Sequence, residues 1–113
     1  MNTRPFINSI DFQEKNILYS ADVLITDSKN YAVALKYDES ICDAPFVVAK
    51  GIGNTVVDLE ELAKKSKVTV FASPFAMELY LFAPIVGREI PETMFENVAT
   101  VLAYVYKYGK HLS

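Results

Sequence analysis

Between Ala21 and Lys50 the sequence sets three short apolar runs, each stopped by residues that turn a chain. ADVLIT (Ala21 to Thr26) ends in the polar cluster Asp27, Ser28, Lys29 and Asn30. YAVALKY (Tyr31 to Tyr37) ends in Asp38, Glu39 and Ser40. APFVVAK (Ala44 to Lys50) is closed by Gly51 and Gly53. Runs of four to eight apolar residues between turn signals are the pattern of buried strands. The period then changes. Val56, Leu59, Leu62 and Ala63 recur at three- and four-residue spacing, so Thr55 to Lys65 reads as an amphipathic helix with Asn54 or Thr55 as its cap.

KVTVFA (Lys67 to Ala72) returns to strand. Ser73 followed by Pro74 starts a helix, a capping hydroxyl and then a ring-fixed first residue, running to about Phe82 before Pro84. Pro91 opens a last helix in the same way, continuing to about Tyr108. The strand–helix–strand unit from Ala44 to Ala72 implies at least one parallel pair. The expectation is one α/β domain, a mixed four-stranded sheet packed with about three to four helices. Residues 1–20 are weakly patterned and read as an arm or linker helix ahead of a domain at 21–113.

Two stripes run along the last helix. One is Met94, Val98, Val101 and Val105; beside it lie Phe95, Ala99, Leu102 and Tyr106. A helix apolar around most of its girth is buried on two sides, the commoner case for a C-terminal helix, or carries an exposed contact surface.

Composition narrows the function. A net charge of −3 over 113 residues argues against a phosphate-backbone binder. One cysteine, Cys42, excludes an internal disulfide and a cysteine-built zinc site, and points to a reducing compartment. The longest apolar stretch, Phe71 to Gly87, holds Glu78, Pro74 and Pro84 and is too short to span a bilayer, so the chain reads as soluble and cytoplasmic.

Chemistry-bearing residues are sparse. His111 is a lone histidine near the C-terminus. Asp43 and the acids before Cys42 would raise its pKa, the reverse of what a nucleophile needs. AKGIGN (Ala49 to Asn54) lacks a P-loop's lysine–serine pair and a third glycine, and reads as a tight turn needing positive φ. Lys64, Lys65 and Lys67 suit a helix C-terminus. Asp38, Glu39 and Asp43 read as a solvated turn rather than a cation loop. No metal, no cofactor and no enzyme are expected from these residues.

ADVLIT before a polar turn, YAVALKYD, AP-F-VVAKG-I-G, Leu79–Tyr80, VGREIP and VATVLAYVY occur in an order and spacing that resembles the C-terminal cytoplasmic domain of the FlhB/SpaS/EscU-type proteins of type III export systems. AVALKYD and EIP are more similar to the flagellar branch. Such proteins carry a four-helix membrane domain ahead of this one. With Met1 about 20 residues before the match, the chain resembles a free-standing paralogue of the FlhX type.

The resemblance implies an Asn-Pro-Thr-His turn before the second strand, whose asparagine amide attacks its own carbonyl carbon and expels the proline nitrogen. Turn strain supplies reach and orientation. Here those positions read Asp27, Ser28, Lys29 and Asn30, so none is retained. A carboxylate is a poor nucleophile for this cyclisation, and Ser28 restores an N–H that would divert it to isoaspartate. The expectation is a chain that does not cut itself.

The resemblance also implies a substrate-binding apolar patch at Ala44, Pro45, Ala99 and Leu102, residue types that match the family. The partners it implies are flagellar export substrates (rod, hook and filament proteins), export-gate components and the hook-length control protein, with no nucleic acid and no membrane insertion. On this reading the chain is a substrate-specificity switch module that stands in for the membrane protein's processed domain. The alternative is a titrating regulator or vestigial module not seated at the gate.

Overall fold

The computed structural model describes residues 21–38, 40, 44–82, 86 and 88–109. Four strands, β1 (Val23–Thr26), β2 (Tyr31–Lys36), β3 (Phe46–Ile52) and β4 (Thr69–Ala72), form one sheet in the order β3-β2-β1-β4. β1 to β3 make an antiparallel meander, and β4 lies parallel to β1. Three helices are described: α1 (Asn54–Lys65), α2 (Phe75–Phe82) and α3 (Phe95–Tyr104). A 3-10 turn, Glu92–Met94, leads into α3, and a π-turn, Val105–Gly109, ends it. The α/β class and the element order are those the residue pattern predicts. No helix among the described residues is long and apolar enough to cross a membrane.

Alternation along the strands builds two cores. Val23, Ile25, Val33, Leu35 and Val47 face α2 and α3, meeting Ala76, Leu79, Met94, Val98, Val101 and Val105. Leu24, Ala32, Ala34 and Ala49 face α1, meeting Val56, Leu59 and Ala63. Strand β1 is fully buried because it is hydrogen-bonded on both sides and covered on both faces. The parallel pair differs from the simplest reading of the β3–α1–β4 unit. The crossover passes over β2 and β1, and β4 pairs with β1, so β3 and β4 occupy opposite edges.

A register shift between Ala34 and Leu35 places Ala34 opposite Ala49 but Leu35 opposite Val47. The extra residue, Val48, joins Ala49 on the α1 side. Parity is thereby reset, and Lys50 turns to the α2 face, its ammonium 4.4 Å from the centre of the Tyr80 ring. Strand β3 continues through Gly51 to Ile52, past the expected end at Lys50.

The two glycines act differently, which corrects the expectation of a shared turn role. Gly51 sits in the strand under α1, where an added Cβ would fall 2.5 Å from Leu59 Cδ1 and 2.9 Å from Thr55 Cγ2. Gly53 alone has positive φ, at 64° with ψ −127°, and it caps α1 in place of Asn54 or Thr55. Its carbonyl accepts the Val56 N–H, with no side-chain cap at this end. The other end of α1 closes as a Schellman turn. Lys67 at φ 63° donates its N–H to the Lys64 carbonyl, and Val68 donates to that of Ala63. Ser73 caps α2 as expected, its Oγ accepting the Phe75 N–H at 3.1 Å.

Candidate functional site

The four patch residues converge. Ala44 and Pro45 enter β3, while Ala99 and Leu102 sit on successive turns of α3, and together they line one open apolar groove of about 360 Å³. The loop is held against the helix side by backbone pairing. Val47 N–H donates to the Arg88 carbonyl at 2.9 Å, and Ile90 N–H to that of Pro45 at 2.9 Å. Residues 88–90 thus clamp Pro45 and lead straight into the turn before α3.

Along α3 and the turns at its two ends the first stripe is buried, and of the second only Leu102 is, which replaces the two-sided burial expected of this helix. Phe95 is 38% exposed and Tyr106 40% exposed, while Leu102 is buried. Phe95 and Tyr106 form the two ends of the groove, Ala99 and Ala103 its low middle, and Leu102 and Ala44 its floor. Small residues between bulky ones make a saddle that admits a side chain or a short backbone segment. Ala103 was not singled out from the sequence, although it lies four residues beyond Ala99 on the same face. Tyr37 also lines the groove, and only the fold brings it there.

One rim of the groove is polar. The buried Asp22 carboxylate accepts the Tyr37 N–H at 2.7 Å. Burial raises the pKa of the Tyr106 hydroxyl, and the Asp22 charge and Tyr37 push it further in the same direction. Tyr106 is therefore a neutral phenol, a hydrogen-bonding edge on an otherwise apolar surface.

The turn Asp27–Asn30 lies at the opposite end of β2, about 20 Å away for six residues of strand. Asp27 Oδ1 accepts three backbone N–H groups, from Lys29 at 2.9 Å, Asn30 at 2.7 Å and Tyr31 at 3.0 Å. Slight desolvation raises its pKa, but the N–H groups of Tyr31, Lys29 and Asn30 outweigh this and hold the carboxyl below its ordinary range. Ser28 adopts φ 66°, and its N–H donates to Thr26 Oγ1 at 2.9 Å. The Thr26 hydroxyl donates in turn to Glu60 Oε2 at 2.9 Å, tying the turn to α1.

The AKGIGN segment folds beside this turn, with the Gly53 N–H on the Asn30 carbonyl at 3.0 Å. Lys64 and Lys65 are exposed in the last turn of α1. Asp38 accepts the N–H and hydroxyl of Ser40. Glu39, Cys42, Asp43 and His111 lie outside the described residues.

Comparison with known proteins agrees with this arrangement. Residues 13–105 match the model of the FlhB HrpN YscU SpaS family. The flagellar biosynthetic protein FlhB of Buchnera aphidicola (subsp. Acyrthosiphon pisum) is 44% identical over 91 residues, 80% of this chain and 24% of that protein. FlhB of Bacillus subtilis is 43% identical over 88 residues, 77% of this chain and 24% of its own length. The chain thus spans about a quarter of the curated relatives it matches.

The cytoplasmic domain of FlhB from Shewanella putrefaciens superposes with a TM-score of 0.76 at 35% identity, covering 82% of this chain and 77% of that one. An EscU C-terminal domain shares the fold with a TM-score of 0.77 at 24% identity, covering 93% and 94% of the two chains. By sequence and fold together, the chain belongs to the FlhB, HrpN, YscU and SpaS family of flagellar biosynthesis and type III export, and it carries the fold of that family's cytoplasmic domain.

Proposed function

We propose that the chain is a non-cleaving counterpart of the FlhB cytoplasmic domain, a binding module that docks short segments of flagellar export substrates or gate components in the groove of Ala44, Pro45, Ala99 and Leu102. The convergence of these four residues in one open apolar groove carries the reading. A shallow saddle with one phenolic edge suits a brief, low-area peptide contact rather than a permanent interface. The chain works in the cytoplasm at the export apparatus and performs no catalytic step.

The turn supports the non-cleaving half of the reading. Scission would need a neutral amide at position 27 and no N–H at position 28. Asp27 is an anion already engaged by three N–H donors, and the Ser28 N–H is held by Thr26. The Asp27 carboxylate is thereby held away from its own backbone carbonyl carbon, and the Ser28 N–H is held away from the Asp27 side chain.

The test is complementation. Flagellated cells whose FlhB is truncated just after the corresponding turn receive this chain in trans, and secreted hook and filament protein are measured. Restored secretion that is lost with Ala99→Glu supports the proposal. A folded, abundant chain that restores nothing overturns it in favour of a titrating regulator.

A further inference from the structure

We propose that the outer edge of β4 is a second docking site, taking an extended, acidic peptide segment of a partner protein as a fifth strand. The two sheet edges are treated differently. On β3 the outer side is paired at its start, where Phe46 and Val47 meet residues 88–90, and Pro45 directly precedes it. On β4 no strand among the described residues pairs with the outer side, and the strand holds no proline and no bulge. None of its four residues is buried, whereas all four of its neighbour β1 are.

The backbone groups on this edge follow from one bond. Ser73 N–H donates to the Thr26 carbonyl at 2.9 Å, so Ser73 faces β1. Alternation then turns Thr69 and Phe71 toward β1 and leaves the N–H and C=O of Val70 and Ala72 directed outward. These four groups are a template for strand addition.

Side chains beside the edge define the occupant. On the α3 face Phe71 meets Tyr104 edge-on at 5.5 Å, and Tyr104 meets Tyr108 at 4.9 Å. Tyr104 and Tyr108 are each about half exposed. This ladder offers stacking area to an aromatic or β-branched residue of an added strand. Charge supplies the second requirement. Residues 64–73 hold Lys64, Lys65 and Lys67 and no acid, in a chain whose net charge is −3. Asp58 and Glu61 lie further back on α1, Glu60 is bonded to Thr26, and Glu78 stands on α2. Lys67, exposed and leading into β4, is placed to meet an acidic residue at the adjoining end of the partner segment.

The probe is the peptide Glu-Asp-Glu-Thr-Val-Tyr-Val-Thr, titrated into the full 15N-labelled chain, with two further versions N-methylated at alternate residues. The expected result is saturable binding below 1 mM that shifts the Val70 and Ala72 amides. One methylated version should lose about tenfold and the other stay within about twofold, because only alternate N–H groups of an added strand face its neighbour. Lys67→Glu, which leaves the backbone turn in place, should weaken binding about fivefold. Equal losses from both methylated versions, shifts confined to the groove of α3, self-association through β4 that excludes the peptide, or no binding at 1 mM would each overturn the proposal.

Discussion

Replacing Gly51 with alanine puts a methyl group where the floor of α1 already stands. Its Cβ would meet Leu59 Cδ1 at 2.5 Å and Thr55 Cγ2 at 2.9 Å, both inside van der Waals contact. Leu59 is 1% exposed and has no open space to enter, and Thr55 is β-branched and stiff at χ1. Overpacking of this kind costs about 1–3 kcal/mol. Against it, alanine lowers the entropy of the unfolded chain by an equivalent of about 0.4–1 kcal/mol. The net expectation is a loss of about 1–2 kcal/mol, or about 4–8 °C in Tm for a chain of this size.

The assay is thermal unfolding by circular dichroism on a double-mutant cycle with Leu59→Ala. Leu59→Ala alone removes a buried side chain and costs about 2–5 kcal/mol. In its background the Gly51→Ala penalty should fall by at least half, since one of the two close contacts is gone. A penalty unchanged in that background, or a neutral Gly51→Ala, would refute the packing role of Gly51.

Other outcomes follow from the same geometry. Lys67→Gly should raise stability by about 1 kcal/mol in thermal unfolding, since a non-glycine residue holds the left-handed position of the Schellman turn. Ala99→Glu should leave Tm within a few degrees, because Ala99 is exposed; Leu102→Glu should unfold the chain, because Leu102 is buried. Asp27→Ala should cost about 0.5–1 kcal/mol, in the manner of a lost cap. With its pKa depressed in the fold, the Asp27 contribution is complete above the unfolded value near 3.9 and fades as pH falls through the folded value; an acid titration of Tm in both proteins should converge there. Intact mass measurement of the purified chain should give one species at full length, and two fragments meeting between Asp27 and Ser28 would defeat the non-cleaving reading.

Local features of the fold were legible in the sequence because their causes are local. Turn residues bounded each strand, and Ser73–Pro74 and Pro91 marked helix starts through capping and fixed φ. Three features escaped because neighbours remote in sequence decide them. Gly51 answers to Leu59 across a layer, and no local cue separates it from Gly53. The bulge at Val48 depends on the pairing of β2 with β3. The partner of β4 is chosen by the crossover of α1 over the sheet. The groove was half legible. Ala99, Leu102 and Phe95 share a helical face that periodicity reveals, and Ala44 and Pro45 entered through family resemblance. Tyr37 and the buried Asp22 behind it join only when β2 runs beside the end of α3.

The order β3-β2-β1-β4 also bears on how the chain reaches this state. β1, β2 and β3 close through neighbours, the first hairpin spanning only four residues between Thr26 and Tyr31. β4 must return across 46 positions to lie beside β1, which makes its loop closure about 2 kcal/mol more costly in entropy than that hairpin's. The meander is therefore the natural folding nucleus and β4 the late arrival. Substitutions in the Asp27 turn should slow folding, whereas substitutions on β4 should chiefly hasten unfolding. On the proposed non-cleaving reading that nucleus stays unimolecular, and its rate of formation should be independent of protein concentration.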